Sequence, residues 1–109
     1  MDKYSICIVT VVFNDLKGLR RTYNSVIGQT LKPLQWIVID GGSNDGCATF
    51  LKSLDLSYLV AISEPDNGIY DAMNKGTILA LGSHVLYLNA GDELVDKSVL
   101  FNAIRLISY

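Results

Sequence analysis

The sequence predicts an α/β fold, a mostly parallel sheet with helices on both faces. Strand-like and helix-like segments alternate four times along the chain, the pattern of successive strand–helix units. The strand segments are apolar runs rather than alternations of apolar and polar residues, as strands covered on both faces should be. The chain has 109 residues, half of them hydrophobic, which suits one domain of about 100–150 residues.

The elements follow in order. Ser5 to Phe13, SICIVTVVF, is β-branched and apolar and reads as the first strand. Asn14 and Asp15 can cap a helix over about Leu16 to Gly28, with Leu16, Leu19, Tyr23, Val26 and Ile27 on its inner stripe. After a loop at Lys32-Pro33, Trp36 to Ile39 is the second strand. Asn44 or Asp45 caps a second helix through about Leu54, with Ala48, Leu51 and Leu54 inward. Tyr58 to Ile62 is a shorter third strand, and EPDNG, Glu64 to Gly68, is a loop built of breakers. Ile69 to Leu81 is a third helix ending at Gly82, a fitting C-terminal glycine. Val85 to Leu88 is the fourth strand, and Lys97 to Ile107 a last helix.

Composition excludes several classes. The formal net charge is -2, and Lys and Arg cluster nowhere beyond Arg20-Arg21, so the chain offers no basic face for nucleic acid. No cationic stretch leads into a short apolar run with a small-residue cleavage site, so no signal peptide is expected. The run Ile6 to Phe13 falls far short of the roughly 20 residues that span a bilayer. Cys7 and Cys47 form no CxxC and read as reduced thiols of a cytoplasmic protein.

Open parallel sheets bind ligands beyond the carboxyl ends of their strands, near a switch in strand order. Those ends are Phe13-Asn14, Asp40-Gly41, Ser63-Glu64 and Asn89 to Asp92, and three of the four carry carboxylates or amides. The sequence has no GxxxxGK[ST] loop, and no GxGxxG follows the first strand. A helix start after Gly41-Gly42 could hold an anion, yet carboxylates repel phosphate. A divalent cation between them resolves the conflict, because Mg²⁺ takes carboxylates, water and phosphate oxygens. This points to a nucleotide–metal pair with Asp92 as the protein ligand, while Asp40 accepts from a base N–H or a ribose hydroxyl.

VVFND, QT, WIVIDGGSNDG, SEPDNGIYDAMNKG, ALG and YLNAGDEL occur in this order. At this spacing the chain resembles the inverting family 2 glycosyltransferases of the GT-A fold. The likeness is closest to bacterial members that build exopolysaccharide, capsule and O-antigen chains. The resemblance implies a Rossmann-like GT-A domain that takes a nucleotide-sugar donor, UDP-linked by expectation, with Mg²⁺ or Mn²⁺. The acceptor it implies is a saccharide or a lipid-linked sugar. It implies a nucleotide site of Phe13, Asn14, Asp40, Gly41, Asp66, Asn74, Lys75, Asn89 and Ala90, with Phe13 against the base and Asp92 on the metal. Two positions depart from the pattern. Asn89-Ala90-Gly91-Asp92 stands where D-x-D-D is commonest, so one carboxylate remains. Met73 stands where many members have Arg before the asparagine matching Asn74, which leaves Lys75 as a substitute cation.

Simpler readings stand beside these. Asp40 could be a turn former bonded to its own backbone. Asp71 and Lys75, four apart on a helix, read best as a surface ion pair. Asp45 reads as a helix cap or first-turn acid, His84 as an edge-strand residue, and Trp36 and Met73 as core. Asp66 suits either a turn or the donor. Inverting transfer needs a general base, which the resemblance places beyond the NAGD motif and beyond Tyr109. Leu100, Ala103, Ile104 and Ile107 form an apolar face that should want a further packing partner. These points lead to the expectation of one donor-binding domain over residues 1–109, truncated at its C-terminus, able to self-associate through that face. The full-length enzyme would be cytoplasmic or peripheral at the inner face of the membrane. The alternative is a non-catalytic nucleotide-sugar-binding module. A nucleotidyltransferase is a weaker one, since FNDLKG is a poor triphosphate loop.

Overall fold

The computed structural model describes residues 4–108; residues 1–3 and Tyr109 of the single-domain reading lie outside them. Four strands, β1 (Ile6–Val12), β2 (Gln35–Asp40), β3 (Leu59–Ser63) and β4 (His84–Tyr87), form one sheet in the order β3-β2-β1-β4. Every pairing is parallel. Four helices, α1 (Leu16–Ile27), α2 (Cys47–Ser53), α3 (Ile69–Leu79) and α4 (Val99–Ser108), follow the strands in turn. The expected α/β architecture with helices on both faces is the one observed.

The alternation of side chains along β1 and β2 splits the core in two. Ile6, Ile8, Val12, Trp36 and Val38 face one side and pack with Leu19 and Val26 of α1, Cys47 and Leu51 of α2 and Leu100 of α4. Cys7, Val9, Val11, Ile37 and Ile39 face the other and pack with Ala72 of α3. All seven residues of β1 are buried, because it lies between two strands and two helix layers. Trp36 is fully buried, and its indole N–H donates to Thr10 Oγ1 at 2.9 Å. That bond removes the cost of burying the one polar atom of the ring.

Several boundaries move from their expected places. Asp40 belongs to β2, in register with Val12 and Ser63. The N-cap of α2 is Gly46 at φ 100°, not Asn44 or Asp45. Asp45 instead accepts from Cys47 N at 3.3 Å and from Leu16 N at 2.9 Å, tying the starts of α1 and α2 together. Helix α3 ends at Leu79, so Gly82 is not its C-cap. A side chain at Gly82 would meet Cys7 Sγ at 2.8 Å and Ser5 O at 3.2 Å; the chain needs glycine there to pass close to β1. The inward face of α4 also has a partner already, since Leu100, Ala103 and Ile104 pack into the first core cluster. Phe101 and Leu106 are the large apolar residues of α4 left exposed.

Gly76 is the tightest point of the α3 layer. A Cβ there would run into Val9 Cγ1, and Val9 is fully buried in the central strand. Replacing Gly76 by Ala gains about 1 kcal/mol of helix propensity and costs about 1–3 kcal/mol of overpacking. Val9 is held on all sides, so overpacking should win. Gly76→Ala should lower the urea midpoint with no change in slope, and a raised midpoint would show that α3 can move outward.

Both cysteines are buried and free. Burial, aided by the hydrogen bond to Asp45, pushes the Cys47 thiol up to about 11 from an ordinary 9.0. The folded state therefore prefers the protonated thiol. That contribution to stability is complete below pH 9 and is lost as pH rises toward 11. Cys47→Ala should flatten the fall in melting temperature across that range, and an unchanged alkaline limb would assign the fall to other groups.

Candidate functional site

Strand β1 has β2 on one side and β4 on the other. The chain therefore leaves β1 in one direction through α1 and returns beyond it after α3, and a cleft opens at the carboxyl ends between the diverging loops. The cavity there measures about 540 Å³. Of the residues expected to hold a nucleotide, Phe13, Gly41, Asp66, Asn89 and Ala90 line it together. Val11, Val12, Ile69 and Ala72 supply an apolar lining, and Asp15 adds a carboxylate. Phe13 is 63% exposed, so its ring is offered to the cleft rather than used in the core.

Asn14, Asp40, Asn74, Lys75 and Asp92 do not line the cavity. Asn14 adopts φ 50°, a conformation Asn tolerates better than most residues. Its N–H donates to Ser43 Oγ at 2.7 Å, and its Oδ1 accepts from Asn44 N at 2.8 Å. It clamps the β1–α1 loop to the β2–α2 loop. Asp40 was expected to face solvent or ligand, and here the reading needs correction: Asp40 is fully buried. Its Oδ1 accepts from Ser43 N at 3.1 Å, and its Oδ2 accepts from Ser63 Oγ at 2.6 Å. The carboxylate thus fastens the GGS turn to the end of β3. Asn74 is exposed on α3. Lys75 pairs with Glu64 at 3.2 Å and Asp71 at 3.7 Å and donates to Pro65 O at 3.4 Å. Burial opposes its charge, but the Glu64 hydrogen bond and the neighbouring acids prevail and hold its pKa above the ordinary value. Its ammonium belongs to the β3–α3 loop, as the simpler reading of Asp71 and Lys75 has it.

The NAGD loop is shaped by residues whose role the sequence did not disclose. Gly91 sits at φ 97°, which a side chain would strain. Thr22 of α1 is fully buried. Its hydroxyl accepts from Gly91 N at 3.0 Å and lies 2.7 Å from Asp92 O and 3.3 Å from Asn89 O. The QT pair works farther along. Gln29 donates to Asp96 O at 2.6 Å and accepts from Leu100 N at 3.1 Å, while Thr30 N donates to Lys97 O at 2.9 Å. QT is the signal that could have shown this clamp. Asp15, read only as a helix cap, does accept from Gly18 N at 3.0 Å; its position directly after the first strand was the cue to its second place in the cavity wall.

Two features of this loop bear on a cation. Asn89 Oδ1 is a buried oxygen with no hydrogen-bond partner among the described residues, and such an orphan is costly unless a ligand satisfies it. Asp92, exposed, folds back so that its Oδ2 accepts from Asn89 N at 3.1 Å. Among the described residues no three His, Cys, Asp or Glu converge on one point. The donor set is thus too sparse for an all-protein cage. It fits a hard cation that takes one carboxylate and an amide oxygen and draws its other ligands from water and phosphate.

The sequence profile of Glycosyl transferase family 2 matches residues 7–108. This chain belongs to that family. An uncharacterized glycosyltransferase of Mycobacterium tuberculosis is 37% identical over 105 residues, 95% of this chain and 40% of the relative. A PGL/p-HBAD biosynthesis glycosyltransferase of Mycobacterium bovis is 32% identical over 113 residues, 95% of this chain and 41% of the relative. The chain therefore spans 40% and 41% of the length of these curated relatives. Among solved structures, S. aureus TarS 1-349 in complex with UDP-GlcNAc matches with a TM-score of 0.81 at 21% identity, over 95% of this chain and 31% of that one. PcManGT, the mannosyltransferase from Pyrobaculum calidifontis in complex with GDP-Man and Mn²⁺, matches with 0.84 at 19% identity, over 100% of this chain and 34% of that one. These likenesses establish the GT-A fold for this family 2 chain.

The buried Asp40 should behave as a stability residue. Asp40→Ala strips both Ser43 and Ser63 of their acceptor and should cost about 1–3 kcal/mol. Urea unfolding checks this, and an unchanged midpoint would mean that the two serines find other partners.

Proposed function

We propose that this chain is the donor-binding part of a glycosyltransferase that moves a sugar from a nucleotide-diphosphate sugar to a saccharide or lipid-linked acceptor. The reading rests on one observation above the others. A cleft at the strand-order switch of a family 2 chain joins an exposed aromatic, Phe13, to an unsatisfied buried oxygen, Asn89 Oδ1. An exposed ring beside an apolar lining suits a nucleobase. An acidic loop with an orphan oxygen suits a cation that carries phosphate.

In this reading Phe13, Gly41 and Asp66 border the nucleoside, and Asn89 and Ala90 border the diphosphate. Asn14 and Asp40 act through the loops they fasten, and Asn74 and Lys75 stand on α3 outside the cavity lining. Asp92 and Asn89 Oδ1 would hold Mg²⁺ or Mn²⁺. Bound there, the ion neutralises the diphosphate and favours its departure as a leaving group. The support for a metal is the fit of these donors, together with the Mn²⁺ in PcManGT. Support for a UDP donor comes from the complexes of TarS with UDP and UDP-GlcNAc. A lipid acceptor draws support from a further relative, a cholesterol galactosyltransferase of Borreliella burgdorferi, 29% identical over 100 residues, 90% of this chain and 28% of the relative. No residue of this chain is given the role of general base, and we assign that role and the acceptor site to the remainder of a longer enzyme. No helix among the described residues is long and apolar enough to cross a membrane, and we place the enzyme on the cytoplasmic side, where nucleotide sugars are used.

Titration calorimetry tests the metal. UDP-glucose should bind more tightly with Mn²⁺ than with chelator. Asp92→Asn should remove that gain and leave metal-free binding of UDP in place. Equal affinity with and without Mn²⁺ in the wild type would sink the metal assignment. Mass spectrometry with a purified acceptor should detect no transfer by these 109 residues alone, and robust transfer would place the base among them.

A further inference from the structure

Leu88 to Ser98, between β4 and α4, contain no helix or strand. This segment is held by polar side chains of the α1 side, Thr22, Ser25 and Gln29, which stand at i, i+3 and i+7 and so share one helix face. Ser25 Oγ accepts from Leu94 N at 3.2 Å, and Gln29 takes Asp96 O at 2.6 Å and Leu100 N at 3.1 Å. Thr22 takes the turn itself. Asp92 N donates to Asn89 O at 2.9 Å and closes a four-residue turn. Gly91 is its third residue, at φ 97°, while Ala90 has no positive φ; this is a type II turn. Its central peptide, Ala90–Gly91, is turned over relative to a type I turn. Gly91 N donates to Thr22 Oγ1 at 3.0 Å. The single hydroxyl hydrogen goes to the nearer carbonyl, Asp92 O at 2.7 Å, rather than to Asn89 O at 3.3 Å. One fully buried hydroxyl thus spends its donor and an acceptor site on this turn.

Resting on the cation reading above, we infer that Thr22 is the positioning residue of that site. It holds the turn in the one form that offers Asn89 Oδ1 and Asp92 to the same ion, although none of its hydrogen bonds goes to either ligand oxygen. With the Gly91 N–H drawn to Thr22, the trans peptide turns the Ala90 carbonyl away from α1. Without the hydroxyl, Gly91 N loses its acceptor. The peptide is then free to turn over to the type I form, which glycine adopts as readily. Asn89 and Asp92, the first and last residues of the turn, shift with it. The site tolerates little of this, because it has one carboxylate and one amide oxygen and no third acid to compensate among the described residues. Such sparse sites depend on the shell behind the ligands.

The readout is the gain in UDP affinity that Mn²⁺ brings over chelator, measured by titration calorimetry. Thr22→Val keeps the volume and removes the hydroxyl. Its gain should fall by about 10-fold, with UDP binding in chelator unchanged. Thr22→Ser restores the hydroxyl and should restore the gain. Ser25→Ala is the control for a merely structural role. It frees Leu94 N farther along the same face, so it should lower the urea midpoint and leave the gain in place. A full gain in folded Thr22→Val would overturn the inference, and so would an equal loss in Ser25→Ala. Should the valine variant not fold, Thr22→Ala replaces it, and a wild-type gain there overturns the inference equally. Absence of any gain in wild type would overturn the cation reading, and this inference with it, before a variant is made. That result is distinct from a gain that Thr22 fails to control.

Discussion

Everything at the carboxyl end of this sheet depends on β1 being shared between β2 and β4. Right-handed crossovers fix the consequences. The steps from β1 to β2 and from β2 to β3 run in one direction, so α1 and α2 lie on one face. The step from β3 back past β1 to β4 runs the other way, so α3 lies on the opposite face. The strand in the middle must then be apolar on both sides, and β1 is buried at every residue. The same reversal parts the loops beyond β1 and leaves the cleft between them. Gly76 belongs to this constraint, because α3 can span the sheet only by resting directly on Val9.

Loops that diverge around a cleft need holding, and the chain does it with polar side chains, buried at Thr22, Gln29 and Asp40 and exposed at Asn14, rather than with more apolar packing. Thr22 and Gln29, both on or just beyond α1, reach the backbone on either side of Asp92. Asp40 ties the turn after β2 to β3, and Asn14 ties the turn after β1 to that after β2. Each buried group is satisfied by a neighbour, so each loop is fixed without an orphan. Asn89 Oδ1 breaks the rule, and it does so in the cavity wall. The exception is what supports the proposed ligand contact there.

The local charge follows from this division of labour. Asp15 and Asp66 face the cavity while Lys75, the cation nearest in sequence to its β3–α3 side, is engaged by Glu64 and Asp71. In the proposed reading a diphosphate entering such a site would be helped by a cation between it and these carboxylates.

The sequence by itself determined the order and type of all eight elements, the parallel sheet and the strand ends that border the cleft. These follow from local periodicity and breaker residues, which act within a few neighbours. Phe13, Gly41, Asn89 and Ala90 could be brought to one place on that basis, because the carboxyl ends of parallel strands meet by construction; Asp66 joined them only through the family resemblance. The facing of each polar side chain was beyond it. Asp40 looked like a ligand and is a buried fastener; Asp15 looked like a cap and also walls the cavity; Thr22 carried no signal and shapes the NAGD loop, and Gln29, seen only in the QT pair, holds the segment beyond it. Gly82 looked like a helix end and is a point of close approach. In each case the deciding partner lies elsewhere in the chain: Ser63 for Asp40, Gly91 for Thr22, Asp96 for Gln29, Cys7 for Gly82. Which oxygen is satisfied and which is left for a ligand depends on atoms that only the tertiary structure brings within hydrogen-bond reach.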